Sequence, residues 1–379
     1  MTSFLHEVIP DHFPWYDYTR YSYSLGVARD GHAWLSGNTA SEFDPETKHM
    51  VVRGSMGDQA KTAYAKIRTL LEAEGLDPSQ VTHIVENVTA EALPLYPEVA
   101  AVRQELFGEH NPVVNTVVVQ RLLRHGAFIE VEITVDSAHS TSEGGIVYLP
   151  TLLPLDPPGH AVTSGDLEQQ AESVYKQAFE MLKALGLGVD SIAKTIEFST
   201  PATLDDYTGI DTVRAAALGP VYPASTGIVM PRLAHEDALI AVNITASRDA
   251  VVAVTPHSWH HDDSPRSAAI RTGCHLYISG QTAIDPETGH LVGPDDVAEQ
   301  AEYIYSNLLD LLQTAGCGPE HLVRTVEYVT PEGLAGYRAV AGVREGLLYR
   351  PYPASTGLVC DSLRQRGALI EVDPTARLP

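Results

Sequence analysis

The chain has 379 residues, 44% of them apolar, enough for two or three packed domains. Its 49 acidic side chains against 25 basic ones give a formal charge of −24, which argues against the phosphate-neutralising surface that nucleic acid requires. No run of 18 apolar residues and no basic-then-apolar leader is present, so neither a membrane partner nor export is expected, and a cytoplasmic location is.

In chain order, an aromatic-dense stretch, FPWYDYTRYSY (Phe13 to Tyr23), precedes a strand ending in LSGNTA. A helix follows over DQAKTAYAKIRTLLEAEG. Ala60, Ala63, Tyr64, Ile67, Leu70 and Leu71 recur at steps of three and four, leaving Lys61, Lys66 and Glu72 on the outer face. Gly75 stands where that helix should stop, since glycine enters the left-handed region without strain. The strand HIVENVT carries Glu86, and a second helix begins at YPEVAAVR and reaches Arg103. The block closes with NPVVNTVVVQRLLRHGAFIEVEITV, whose two β-branched runs about a short polar turn read as a hairpin. The turn cluster Arg121, Arg124 and His125 reads as solvated.

The same series returns twice. Gly186 and Gly316 take the place of Gly75, Glu197 and Glu327 that of Glu86, and Arg214 and Arg344 that of Arg103. The closing runs become YPASTGIVMPRLAHEDALIAVNITA and YPASTGLVCDSLRQRGALIEVDPTA. Such a period identifies a triplication. The boundaries fall at 1–137, 138–250 and 251–379, beside connectors rich in Ser, His, Asp and Pro (138–146 and 247–266). Each copy offers two amphipathic helices to one face of a mixed sheet, so the other face needs cover. Three sheets covering one another would supply it: an α+β assembly of three-fold pseudo-symmetry, sheets inside and helices outside. A fused assembly of this kind predicts a monomer or weak dimer. Cys274, Cys317 and Cys360 form no disulfide framework and read as small buried hydrophobes.

The series LYISGQTAIDPETGHLVGPDDVAEQAEYIYSNLLDLLQTAGCGPEHLVRTVEYVT, followed by YPASTGLV and ALIEV, resembles the RidA/YjgF reactive-intermediate deaminase family. The resemblance extends over the whole chain as three copies, the middle one most degraded. It implies chorismate-mutase-like units, usually homotrimeric, with ligand clefts between units; here they would form an intramolecular pseudo-trimer. In the archetypal deaminases the segment matching PAST carries an Arg for the substrate carboxylate, then a Cys two positions on. Here the Arg position is Val114, Ser225 and Ser355, and the Cys position Thr116, Gly227 and Gly357. A hydroxyl does not reproduce a bidentate guanidinium, so the standard 2-imino acid is not the expected substrate. The family's water-positioning Glu stands as Glu130 and Glu371 but is Ala241 in the middle copy. The cleft strand keeps Ser36, Gly37 and Asn38, and Ser279, Gly280 and Gln281. In the middle copy it reads Pro150, Thr151 and Leu152, which makes that copy structural. One or two working clefts are expected.

Several residues carry two readings. Glu130 and Glu371 direct a water in one and form an ion-paired strand face in the other. Backbone N–H groups near Gly37 and Gly280 are expected to stabilise developing charge. Arg103 and Arg344, with Arg214, replace the missing clamp or pair with an acid of the neighbouring copy. Asn115, Thr116, Ser355 and Thr356 bond a polar substrate or stabilise turns. Tyr16, with Trp15 and Tyr18, lids a cleft or packs the core. His257, His260, His261, Asp262 and Asp263 invite a metal, but their linker context argues against one; no cofactor is expected.

The function these features point to is a small-molecule hydrolase of the RidA type acting on an enamine, imine or related metabolite. A non-catalytic ligand-binding scaffold is the alternative from another class. A chorismatase-like hydrolase would need Arg53, Arg103, Arg121 and Arg344 to converge. Cyanuric acid hydrolases and barbiturases use Ser–Lys pairs, and the third copy contains no lysine. Ribonuclease activity is disfavoured by the acidity.

Overall fold

The computed structural model describes residues 4–136, 145–156, 161–162, 165–204, 208–219, 221–257, 259 and 264–379. The first stretch runs β1 (His6–Glu7), β2 (Gly26–Arg29), β3 (His32–Asn38), a hairpin of β4 (Glu42–Asp44) and β5 (His49–Val51), α1 (Met56–Ala73), β6 (Val81–Thr89), α2 (Pro97–Phe107), β7 (Val113–Val119), β8 (Arg121–Leu122) and β9 (Ile129–Asp136). The second runs β10 (Ile146–Tyr148), a ribbon of β11 (Leu155–Asp156) and β12 (Ala161–Val162), α3 (Leu167–Ala184), β13 (Ile192–Ser199), α4 (Thr208–Ala217), β14 (Ala224–Val229) and β15 (Ile240–Ser247). The third runs β16 (Val252–Val254), β17 (Ala269–Thr272), β18 (His275–Ile278), α5 (Val297–Thr314), β19 (Leu322–Val329), α6 (Val340–Leu347), β20 (Ala354–Val359), β21 (Ser362–Leu363) and β22 (Ile370–Arg377).

The long helices begin and end where their sequences say they should. Ser55 and Asp58 form a capping box ahead of α1, and Asp166 and Asp296 cap α3 and α5. Gly75, Gly186 and Gly316 follow the three helices at φ 68°, 74° and 78°. A glutamine one turn in (Gln59, Gln170, Gln300) accepts from the N–H of Phe128, Leu239 or Leu369 and so ties each helix to the start of β9, β15 or β22. Lys66 departs from the outward position its spacing suggested. It is 1% exposed, because the loop after β3 folds over that face and takes its ammonium protons on the Thr39 and Ser41 carbonyls at 2.7 and 2.5 Å.

Each sheet is mixed. In the first, β6 pairs in parallel with β7 and antiparallel with β9; β13 with β14 and β15, and β19 with β20 and β22, repeat this. The expected hairpin is therefore not formed, since its two runs lie on opposite sides of a central strand. The segment between them leaves its own sheet: β8 pairs with β20, and β21 pairs with β14. Gln120 donates its N–H to Val359 O and Asp361 to Val229 O, at 2.9 Å each. The matching position in the second stretch is Pro231, which has no N–H to give.

Apolar clusters lie between each sheet and its helices, and a fourth joins all three sheets through Val119, Ile228, Met230, Tyr328 and Leu358. The sheets also meet around a polar cavity of about 60 Å³. Arg324 pairs there with Glu132 at 2.6 Å and Lys194 with Asp373 at 2.9 Å, each across two sheets. The third matching pair is His83 and Asn243, two side chains without a fixed charge at neutral pH. Burial holds His83 down to about 4, and it bonds Asn115 at 2.6 Å and stacks on Tyr148.

Candidate functional site

Strand pairing brings the Ser-Gly strands to the junctions between sheets. Asn38 faces Val131, Gln281 faces Val372 and Leu152 faces Val242, so Gly37, Gly280 and Thr151 hold one position in three settings.

Between the third and second sheets, the Gly280 N–H donates to Ser225 O at 3.1 Å, and the Ser225 N–H to Ser279 Oγ at 2.8 Å. Glu371 packs its carboxylate on Gly280, where an added methyl group would overlap it. Burial pushes that carboxyl up to about 7; Arg266, Arg364 and Lys194 oppose the rise and Asp373 adds to it. Gly280 and Gln281 form one wall of a cleft of about 660 Å³, with Tyr222, Trp259, Arg266 and Asn307 among the others. Arg364 comes from the loop after β21 and reaches Asp211 of α4 at 3.3 Å.

Between the first and third sheets the frame is the same. The Gly37 N–H donates to Thr356 Oγ1 at 3.0 Å, the Ser355 N–H to Ser36 Oγ at 2.8 Å, and Glu130 packs on Gly37. Burial and the nearby Glu132 push the Glu130 carboxyl up to about 8, against Arg124 and Lys66. Burial and Arg124 bring Lys66 down to about 7, against Glu42 and Glu130. Lys66 lies 5.1 Å from the Tyr16 ring centre, and Arg124 lies over Tyr21 and donates to its hydroxyl at 3.2 Å. Arg124 is thus half-buried beside Glu130 rather than solvated, while Arg121 and His125 are exposed.

The junction between the second and first sheets is closed. Thr151 Oγ1 accepts from the Thr116 N–H at 3.0 Å and donates to Asn243 at 2.7 Å, while Asn115 donates to Leu149 O at 2.9 Å. Leu152 is buried, and Ala241 stands where the carboxylate would be. Asn115 and Thr116 therefore serve this closure.

Other expected residues fall elsewhere. Arg103, Arg214 and Arg344 pair with Glu86, Glu197 and Glu327 of their own sheets, at 3.3, 3.6 and 2.5 Å, not with a neighbour's acid. Tyr64 and Tyr96 donate to Glu86, Tyr175 to Glu197, and Tyr305 and Tyr337 to Glu327. Burial alone would raise the Glu327 carboxyl; Arg344 and the two tyrosines outweigh it and hold it low. Arg344 Nε also donates to Ser22 Oγ at 3.3 Å, across to the first sheet. The amides of Gly37 and Gly280 are committed across their junctions, so the charge-stabilising role expected of them is not open to them as they stand. Ser36 and Ser279 donate to Ser24 O and Ser267 O at 2.6 Å, fastening the same seams. Asn38 and Gln281 donate to the Ser36 and Ser279 carbonyls at 2.7 and 2.8 Å.

Arg53 pairs with Glu42 and Asp44, away from Arg103 and Arg344, so the convergence a chorismatase-like site needs is not formed through it. Cys317 and Cys360 are buried, whereas Cys274 is partly exposed, 3.1 Å from Arg377 Nη1 and 3.7 Å from His275 Nδ1. Of the histidine tract, His260, His261, Asp262 and Asp263 lie outside the described residues; among the described residues no group of three potential ligands is arranged for a metal ion. No described helix is long and apolar enough to cross a membrane.

A family model described as Endoribonuclease L-PSP matches residues 18–137 and 263–378. A RutC family protein from Synechocystis is 30% identical over 115 residues, covering 30% of this chain and 87% of that protein. The 2-iminobutanoate/2-iminopropanoate deaminase of Bos taurus is 30% identical over 112 residues, covering 30% of this chain and 79% of its own. Among solved structures, a putative endoribonuclease from Thermotoga maritima aligns at 26% identity and a TM-score of 0.31, covering 34% of this chain and 98% of that one.

Proposed function

Because the chain belongs to the Endoribonuclease L-PSP family, which takes in the RidA-type deaminases, we propose that it is a small-molecule hydrolase releasing ammonia from an enamine or imine. Its three units, 1–137, 138–250 and 251–379, form a covalent counterpart of a trimer, with working clefts at two junctions. The observation that carries this reading is Glu371, buried directly behind Gly280, a residue that lines the 660 Å³ cleft. A carboxylate that ionises near neutrality is suited to general-base work.

In the step proposed, ionised Glu371 takes a proton from a water as its oxygen bonds to the C=N carbon, and the π pair moves to nitrogen. Glu371 then returns the proton to nitrogen. The carbinolamine hydroxyl then gives its proton to Glu371, which passes it on to nitrogen, and as the C–N bond breaks and the oxygen pair forms the C=O bond, ammonia leaves a carbonyl behind. Glu130 has the same placement at the first–third junction, with Lys66 and Arg124 beside it. The test is ammonia release from freshly generated 2-aminoacrylate and bulkier imino acids. Acceleration by the wild type, lost in the Glu130→Gln/Glu371→Gln double variant, is expected; equal rates with and without protein would overturn the reading in favour of a binding scaffold.

A further inference from the structure

Two turns beyond the glutamine that anchors each long helix, the three copies differ: Lys66 stands in α1, Gln177 in α3 and Asn307 in α5. Lys66 gives its ammonium protons to the Thr39 and Ser41 carbonyls, in the loop that leaves the Ser-Gly strand. Gln177 repeats the arrangement, donating to Leu153 O at 3.0 Å and Leu155 O at 3.4 Å. Both copies use their own helix to satisfy two loop carbonyls set two residues apart. Asn307 is shorter than either side chain, and it bonds the Tyr303 hydroxyl instead. In its copy Thr282 O matches Thr39 O, and Ile284 O lies two residues on. The bridge of Ile284 to Leu291 is made by the Asp285 N–H and the Ala283 carbonyl, so it uses neither. Among the described residues, neither carbonyl has a hydrogen-bond partner.

The space that Lys66 fills in the first copy is thus open in the third. Thr282, Ile284 and Asn307 line the 660 Å³ cleft, and so does Trp259. Bridges of Ser24 to Ala354 and of Ser267 to Ala224 align the two copies, and Tyr16 and Trp259 stand at the same distance ahead of those serines. Tyr16 lies 5.1 Å from the Lys66 ammonium, measured to the ring centre. Trp259 holds that place in the cleft with an indole, the ring that attracts a cation most strongly. The charge of the wall suits a cation as well. Asp285 is kept ionised by the Thr288 N–H and the Tyr303 hydroxyl, and the Glu371 carboxyl lies behind Gly280. Arg266, the guanidinium of the wall, is engaged, with Ser264 Oγ at 3.2 Å among its partners. The first copy likewise holds its ammonium beside a guanidinium, that of Arg124.

We propose that the second–third cleft binds a small primary alkylamine in its ammonium form, whose N–H groups bond Thr282 O and Ile284 O and whose charge rests against Trp259. The ligand supplies from outside what Lys66 supplies from within. A cleft of about 660 Å³ lies inside the range of about 300–1,000 Å³ usual for small-molecule sites. Ammonia release plays no part in the test, so the deaminase reading stands or falls separately. Calorimetry on the full chain at neutral pH compares n-pentylamine with 1-pentanol, which lacks the charge, and with pentyltrimethylammonium, which keeps the charge but has no N–H. Pentylamine should bind more tightly than either. Asn307→Lys provides the chain's own ammonium at high effective concentration and should weaken pentylamine about 10-fold or more, with the unfolding temperature kept or raised. Trp259→Ala should weaken it about 2- to 30-fold, the span of a cation–π contact. Pentanol or pentyltrimethylammonium as tight as pentylamine, or no binding of pentylamine, overturns the inference. So does binding that survives Asn307→Lys in a folded protein, or that ignores Trp259→Ala.

Discussion

Two junctions built from the same strand positions have opposite outcomes. Where the third sheet meets the second, Gly280 leaves room for Glu371 and a cleft opens. Where the second meets the first, Thr151 puts a hydroxyl at the same place and bonds Thr116 and Asn243 with it. The difference is about one side chain's volume at the strand, matched by Ala241 in place of the glutamate. A wall that accepts a carboxylate and a wall that completes a shell are alternatives at this position. One sequence that contains all three junctions can use both.

This contrast can be broken at several points. The largest effect should come from Glu371→Gln, which is expected to lower turnover of bulky imino acids by about 10²- to 10⁴-fold, the usual value of a positioned base. Glu130→Gln should leave that turnover largely intact, and equal losses in the two would show that the clefts do not differ as proposed. Stability should also divide by junction. Arg324→Met leaves Glu132 buried without its ion-pair partner, at a cost of about 3–5 kcal/mol in urea unfolding, whereas His83→Leu, at the junction whose pair carries no fixed charge, should cost about 1–2 kcal/mol.

The pH dependence sharpens the comparison further. A base works ionised, so turnover should rise with pH about a midpoint near 7 if Glu371 carries it and near 8 if Glu130 does. Stability runs the other way. The folded state keeps a proton on Glu371 that the unfolded chain releases near 4.5. This contribution is therefore full below that value and is lost as pH rises through about 7. Glu371→Gln should flatten that part of the stability–pH curve, and an unchanged slope would contradict the buried, raised carboxyl. A small effect, about 1–2 kcal/mol, is expected from Thr151→Val, because it removes the neutral hydrogen bonds to Thr116 and Asn243 while filling the same space.

Much of the site's frame was legible in the chain. The apolar stripe of α1, the glycine stops and the repeated Ser-Gly and Glu positions place the seams and predict that the middle copy would be shut. The hairpin could not be read correctly, because the partners of β7 and β9 are set by β6, some 30 residues upstream, and the turn between them belongs to another sheet. Lys66 looked solvent-facing because helical periodicity does not register a loop folding back over it. Arg266 and Arg364 escaped notice for a related reason. Aligning the copies rewards residues that recur, and these two occur once each, at positions where the other copies have different chemistry. The recurring arginines, Arg103, Arg214 and Arg344, drew attention for the opposite reason and turn out to neutralise a buried glutamate within each sheet.

The ion pairs around the 60 Å³ cavity bear on how the chain stays assembled. The first and third sheets are the one pair not consecutive in sequence, and they meet through Arg324–Glu132, Arg350–Glu7 and the β8–β20 pairing. The first and second are consecutive, and there the matching residues are His83, Asn243 and Pro231. A short tether supplies an effective concentration on the order of millimolar, so a junction beside one can do without a charged pair, as this one does, or keep it, as the consecutive second and third sheets keep Lys194–Asp373. The backbone thus acts as one of the contacts, and cutting it between residues 137 and 144 would transfer the task of holding the first sheet to its seam with the third.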